Sequence, residues 1–272
     1  MRQRPPLDAG VLGGSLLLAA TLVAPACSPA KPRSGEEVVK RMSDRLSAAQ
    51  SLSFTTQEKH QRRRGGQVVD IARTRSFVVK RPGALAFRTV GGEMGGGSGT
   101  YDGKSLTLVW PEQKAYARVN MPPTIDAALE RLEEHFNMAL PVGDLLHGNA
   151  YGVLVGPEMT GRYVGREQVG AAECDHVAFT HQRVDWELWV AASGEPTPCR
   201  IVITTKGRSG PLTSDVSFSD WNLAATPAAN AFEAQVPPDY ERIKVAAYDT
   251  SAEAAPAAGS AAPPQPSAST KP

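Results

Sequence analysis

Between residues 59 and 88 the sequence carries nine basic side chains and one acid, Asp70. In an extended chain Arg62 and Arg64 share a face, and so do Arg73 and Arg75. Such a cluster is chemistry for anions: lipid headgroups, lipopolysaccharide or an acidic partner. The plainer alternative is a solvated outer sheet face whose charges protect an edge. Other groupings fall short of a reaction centre. None of the five histidines pairs with another at H-E-x-x-H spacing. His176 and His181, at odd separation on an extended segment, point to opposite faces. With Asp175 and Asp185 nearby they raise a metal or acid–base site, against the blander reading as surface or edge histidines. The glycine run Gly91–Gly99 followed by Gly103-Lys104-Ser105 invites a phosphate loop, but Ser98 stands where the leading glycine is required. A strand, not a helix, follows, so a phosphate would meet no helix N-terminus. G-x-S-x-G is absent, and neither Cys174 nor Cys199 sits in a nucleophile signature. The expectation is a protein that is not an enzyme, with no metal and no cofactor.

Cys27 is chemistry of another kind. Arg2 and Arg4 precede an apolar run, Val11–Val23, and Ala24-Pro25-Ala26 places small residues two apart. That is the layout of an export signal over residues 1–27. The run is too short for a comfortable membrane span. Cys27 directly after Ala26 resembles the bacterial lipobox, in which the thiol receives diacylglycerol. Ala24 stands where that pattern prefers Leu, and plain secretion or an uncleaved anchor stay open beside lipidation. Ser28, rather than Asp, follows the cysteine, which for lipoproteins in general directs the anchor to the outer membrane. The expected location is the cell envelope, facing the periplasm, with membrane attachment through Cys27.

An exported protein meets an oxidising compartment, so Cys174 and Cys199 become a candidate pair. On a plain meander they lie on strands flanking a common neighbour, about 10 Å apart. A bridge needs Cα atoms within about 7 Å. A bulge or loop position for Cys199, after Pro196 and Pro198, would allow it, and both readings stay open.

The elements that must position these residues read clearly. Of the 272 residues, 28–33 form a short tether, and residues 249–272 a disordered tail; in 251–272, Ala, Pro and Ser fill 17 of 22 positions. The balance of 29 basic to 28 acidic residues argues against a nucleic-acid partner. The folded unit is expected over 34–248. Ser34 and Glu37 form a capping-box pattern ahead of Val39, Met42, Leu46 and Ala49 at helical spacing. A period of two then predicts strands over 52–64 and 67–80 around Gly65-Gly66, a third from Leu85, a loop over 91–99, and further strands over 106–110 and 115–119. Thr124 caps a second amphipathic helix carrying Ile125, Leu129, Leu132 and Phe136, with a short helical turn near Val142–Leu146. Strands return at 161–168, 172–181, 184–191, 199–206 and 213–222, and a stretch near 242–245 is expected to close the sheet. No segment alternates strand and helix as parallel units do. The fold class is α+β: one long antiparallel meander, interrupted by a helical insert, with helices covering one face.

Ordered motifs carry a resemblance. Arg81-Pro82, Asp102-Gly103-Lys104, Thr124-Ile125-Asp126, Asp144-Leu145-Leu146, Cys174-Asp175-His176, Asp185-Trp186-Glu187-Leu188-Trp189 and Asp220-Trp221-Asn222 resemble, over roughly 36–245, the bacterial predicted periplasmic proteins called domain of unknown function 2092. Glu187 stands where that family commonly has Gln. The family is in turn similar to the LolA/LolB lipoprotein carriers, which implies a large curved antiparallel half-barrel with helices over its concave face and a cavity for acyl chains. Phe87, Leu106, Leu108, Trp110, Trp186, Leu188 and Phe218, with Leu129, Leu132 and Phe136 as a lid, are the residues expected to line it. The implied partner is a lipid or acylated ligand. The alternative function is a non-enzymatic envelope sensor or protein-interaction module using Arg62, Arg64, Arg73 and Arg75.

Overall fold

A computed structural model describes residues 34–136, 138 and 142–245. The leader with Cys27, the tether and the tail lie outside the described residues. Helix α1 (Gly35–Ala48) begins where its sequence asks it to. The Ser34 hydroxyl accepts from the Glu37 amide at 3.2 Å, and the Glu37 carboxylate accepts from the Ser34 amide at 3.1 Å. Its stripe of Val38, Val39, Met42 and Leu46 is buried.

Strands β1 (Ser51–Arg64) and β2 (Gln67–Lys80) form a long hairpin. Gly65 and Gly66 turn it at φ of 56° and 84°, a conformation that costs a side-chain-bearing residue. Four more strands follow: β3 (Ala84–Gly91), β4 (Gly96–Tyr101), β5 (Ser105–Trp110) and β6 (Ala115–Asn120). The helical insert comprises α2 (Ile125–Phe136), α3 (Gly143–Leu146) and α4 (Ala150–Leu154). The chain then returns to strand as β7 (Thr160–Val169), β8 (Ala172–Thr180), β9 (Val184–Ala191), β10 (Pro198–Gly207), β11 (Gly210–Asn222) and the short β12 (Glu241–Arg242).

Among the described residues all twelve strands belong to one open sheet in the order β12-β6-β5-β4-β3-β2-β1-β11-β10-β9-β8-β7. Two expectations are corrected here. The sheet is not a single meander: two meanders meet in the middle, where β1 pairs antiparallel with β11 and Glu58 lies opposite Val216. The helical insert makes this arrangement, because it carries the chain from β6, near one edge, to β7 at the other. Nor does the C-terminal strand close the sheet. It pairs parallel with β6 over Glu241 and Arg242 and extends that edge.

The glycine run is corrected as well. Only its first half is a loop, since Gly96–Tyr101 is strand β4. Its glycines make room on the helix-covered face. Phe87 lies opposite Gly99 in register, and a Cβ on Gly99 would come within 2.3 Å of the Phe87 ring. An aromatic ring over a strand glycine replaces the packing that the glycine lacks.

Helix α1 covers the β7–β9 part of the sheet. It is pinned by Asp175, fully buried on β8, which accepts from Tyr163 Oη at 2.9 Å, Arg166 Nε at 3.0 Å and Arg41 Nη2 of the helix at 3.2 Å. Three groups around one carboxylate supply the partners that a buried charge requires.

Candidate ligand-binding cavity

The other part of the sheet is not filled. Between the inner face of β3–β5 and α2 lies a cavity of about 510 Å³, within the range of small-molecule sites, roughly 300–1,000 Å³. Strand alternation sets its walls. Leu85 and Phe87 on β3 and Leu106, Leu108 and Trp110 on β5 point inward, and α2 faces them with Ile125, Ala128, Leu129 and Leu132 at helical spacing.

Of the ten residues expected to line a cavity, the structure brings six together: Phe87, Leu106, Leu108, Trp110, Leu129 and Leu132. The other four lie outside its lining. Trp186 stacks on Phe179 at 4.2 Å, Leu188 is fully buried, Phe218 lies 5.8 Å from Trp221, and Phe136 packs against the core from the last turn of α2. The pattern gave all ten an inward direction but not the helix that would cover each.

The basic cluster is corrected in a way that matters for function. Arg73 and Arg75 are not on a solvated outer face. They lie opposite Glu58 and Thr56 on the inner face, and the cavity reaches them together with Arg62. Arg73 Nε donates to Glu58 Oε2 at 2.6 Å, and Arg75 Nη1 lies 3.5 Å from the same oxygen. Arg75 Nε donates to Thr89 Oγ1 at 3.2 Å, and its guanidinium carbon stands 5.6 Å from the centre of the Phe87 ring. Glu58 takes two further contacts, from His60 Nε2 at 2.9 Å and Thr56 Oγ1 at 2.8 Å. Burial pushes the Glu58 carboxyl up, but the hydrogen bond from His60 and the charges of Arg75 and Arg73 outweigh it and hold it at about 2. Burial lowers Arg75 to about 10, against the pull of Glu58. Arg62 and Arg64 reach solvent and share Glu93, at 2.7 and 2.6 Å.

Glu58 and Glu93 are the partners of the arginine cluster that the sequence reading missed. They stand just outside the window counted as basic, one on each side. The signal for Glu58 was present: it continues the inward alternation of Leu52, Phe54 and Thr56.

The remaining candidates sit elsewhere. His176 is 5% exposed, not a surface histidine. On the outer face its Nδ1 lies 2.8 Å from Glu167 and its Nε2 2.8 Å from Glu187, and its ring stacks on Trp189 at 4.1 Å. The two carboxylates meet opposite sides of the ring and do not converge on one ion. Asp175 faces the other way, toward α1. His181 lies 3.2 Å from Glu158, and Asp185 pairs with Lys206. Cys174 and Cys199 form a disulfide with Cα atoms 6.9 Å apart. Cys199 occupies the register shift between Pro198 and Arg200, and that bulge brings it within reach across β9.

Residues 35–246 match the family described as predicted periplasmic protein, domain of unknown function 2092. No curated protein matches the chain in sequence. Among solved structures, it is similar to an uncharacterised conserved protein from Thermus thermophilus, at 9% identity and a TM-score of 0.45 over 76% of this chain and 97% of that one. It is also similar to a LolA superfamily protein from Nitrosomonas europaea, at 14% identity and a TM-score of 0.36 over 72% and 96% of the two chains. LprF from Mycobacterium bovis is similar at 12% identity and a TM-score of 0.41, over 76% and 97%.

Proposed function

We propose, for a chain that belongs to the family of predicted periplasmic proteins called domain of unknown function 2092, a role in binding a lipid or other lipophilic ligand in the cavity beneath α2. The observation that carries this reading is the cavity itself. Protein interiors are close-packed, and apolar side chains left lining an open space forgo the stabilisation that burial would give them. A space of about 510 Å³ walled by Leu85, Phe87, Leu106, Leu108, Leu129 and Leu132 is better explained by an occupant than by poor packing. The role is binding rather than catalysis. In this reading the protein works in the envelope on the periplasmic side, held to the outer membrane by diacylglycerol on Cys27. That anchor rests on the sequence of the leader alone.

The basic cluster gives less support to a protein-interaction face, because Arg73 and Arg75 lie inside the cavity end and not on an outer surface.

The test is uptake of a neutral apolar fluorophore, N-phenylnaphthylamine, by the purified chain. The parent is expected to bind and brighten it. Leu129→Trp, which fills the space between α2 and β5, is expected to weaken uptake about tenfold or more while the circular-dichroism spectrum stays unchanged. A parent that takes up no probe, or a folded Leu129→Trp that binds it equally well, would count against the reading.

A further inference from the structure

The cavity is not uniform along its length, and the gradient names a class of ligand. Following β2 and β3 from α2 toward the Gly92–Met94 loop, the inward pairs run Val79 with Leu85, Phe77 with Phe87, Arg75 with Thr89, and Arg73 with Gly91. The first two pairs are apolar and the next two bring cations. At the boundary stands Arg75. Its side chain is 10% exposed. Its Nε is used by Thr89, and its buried Nη1 makes no hydrogen bond, only an ion-pair contact with Glu58 Oε2 at 3.5 Å. A buried guanidinium donor whose contact is too long for a good hydrogen bond is under-satisfied. The four arginines Arg62, Arg64, Arg73 and Arg75 share only two carboxylates between them, Glu58 and Glu93.

We propose that this arginine end is the seat of an acidic headgroup, a phosphate or carboxylate, belonging to an amphiphile whose alkyl chain lies along Phe87 and Leu108 beneath α2. The inference rests on the lipophilic-ligand reading above and adds the charge of the ligand to it. Arg75 supplies the charge at the apolar boundary and an Nη1 donor that Glu58 holds only at 3.5 Å, Thr89 and the Phe87 ring fix the guanidinium plane, and Arg73 and Arg62 complete a cationic rim. A fixed guanidinium suits a tetrahedral or planar oxyanion, to which it can donate more than one hydrogen bond. Glu58 keeps the arginines from repelling one another while the seat is empty.

The experiment displaces bound N-phenylnaphthylamine with dodecyl phosphate, with dodecanol and with inorganic phosphate alone. Dodecyl phosphate is expected to displace the probe at about a tenth of the dodecanol concentration or less, the difference expected of one charge-assisted contact. The advantage should shrink as salt is raised. Inorganic phosphate should leave the probe in place. Arg75→Met should bring the displacing concentrations of dodecyl phosphate and dodecanol together, removing the preference for the phosphate. Arg62→Gln, at an exposed position that carries no risk to the fold, should reduce the preference about threefold.

Equal displacement by alcohol and phosphate in the parent, with the probe bound, would overturn the headgroup seat and leave the cavity reading standing. Displacement by inorganic phosphate alone would overturn it in favour of a free-anion site. Absence of any probe uptake defeats the lipophilic reading, and this inference falls with it.

Discussion

A carboxyl group as buried as Glu58, 3% exposed, ordinarily gives up its charge. It keeps the charge here because His60, Arg75 and Arg73 surround it more strongly than burial opposes it, and its pKa sits at about 2 against an ordinary 4.5. The consequence has a sign. A carboxylate whose folded pKa lies below its unfolded value stabilises the fold fully above about pH 4.5, and that contribution disappears as pH falls toward 2. A difference of that size corresponds to about 3 kcal/mol. The thermal midpoint of the parent is therefore expected to drop steeply between pH 4.5 and 2. Glu58→Gln should flatten that part of the profile and lower stability at neutral pH by about 3–5 kcal/mol, because Arg75 and Arg73 would be left buried without a counter-charge. A profile with the same slope in parent and variant would show that another carboxylate governs the acid transition.

At the scale of elements, β8, β9 and β10 are held in a way that hydrogen-bond ladders alone do not require. The Cys174–Cys199 disulfide reaches across β9 from a bulge, closing a loop of 25 residues. A closed loop of that length restricts the unfolded chain by an amount worth about 3 kcal/mol. Cys174→Ala combined with Cys199→Ala is expected to lose about that much in urea unfolding at unchanged fluorophore uptake, since the bridge lies on the outer face, away from the cavity. A coupled loss of uptake would mean that the outer face sets the shape of the inner one. This bridge also marks where local reading stops. The cap of α1, the Gly65-Gly66 turn and the inward alternation of β5 are legible because each depends on residues close in sequence. The bulge at Cys199 depends on how β10 meets β9. Strand β4 was hidden because glycine has little strand preference of its own, and the Phe87 ring that lies over Gly99 comes from a different strand, β3. The joining of β1 to β11 spans most of the chain, and no periodicity within either strand encodes it.

For the molecule as a whole, one sheet carries two different interiors. Beneath α1 the core is filled, with Leu188 and Val177 fully buried. Beneath α2 it is left open. The inward direction of Leu188 and Leu132 was equally legible, but the division between packed and open space was not, because it depends on which helix lies over which strands. That division makes a prediction independent of any ligand. Truncating a buried leucine costs the lost transfer energy and a further amount for the void created, together about 2–5 kcal/mol. Leu188→Ala opens a new void in close-packed surroundings and should fall in that range. Leu132→Ala only enlarges a space that already exists, so the side chain removed had fewer neighbours to lose. Its cost should lie at or below the bottom of the range, about 2 kcal/mol. Urea unfolding of both variants measures the difference directly. Affinity separates them in the opposite sense: Leu132→Ala should change uptake of N-phenylnaphthylamine, and Leu188→Ala should leave it alone while the protein is folded. Equal costs for the two would mean that the sheet and α2 close on each other in solution, and a cavity that collapses when empty would have to be opened by its ligand.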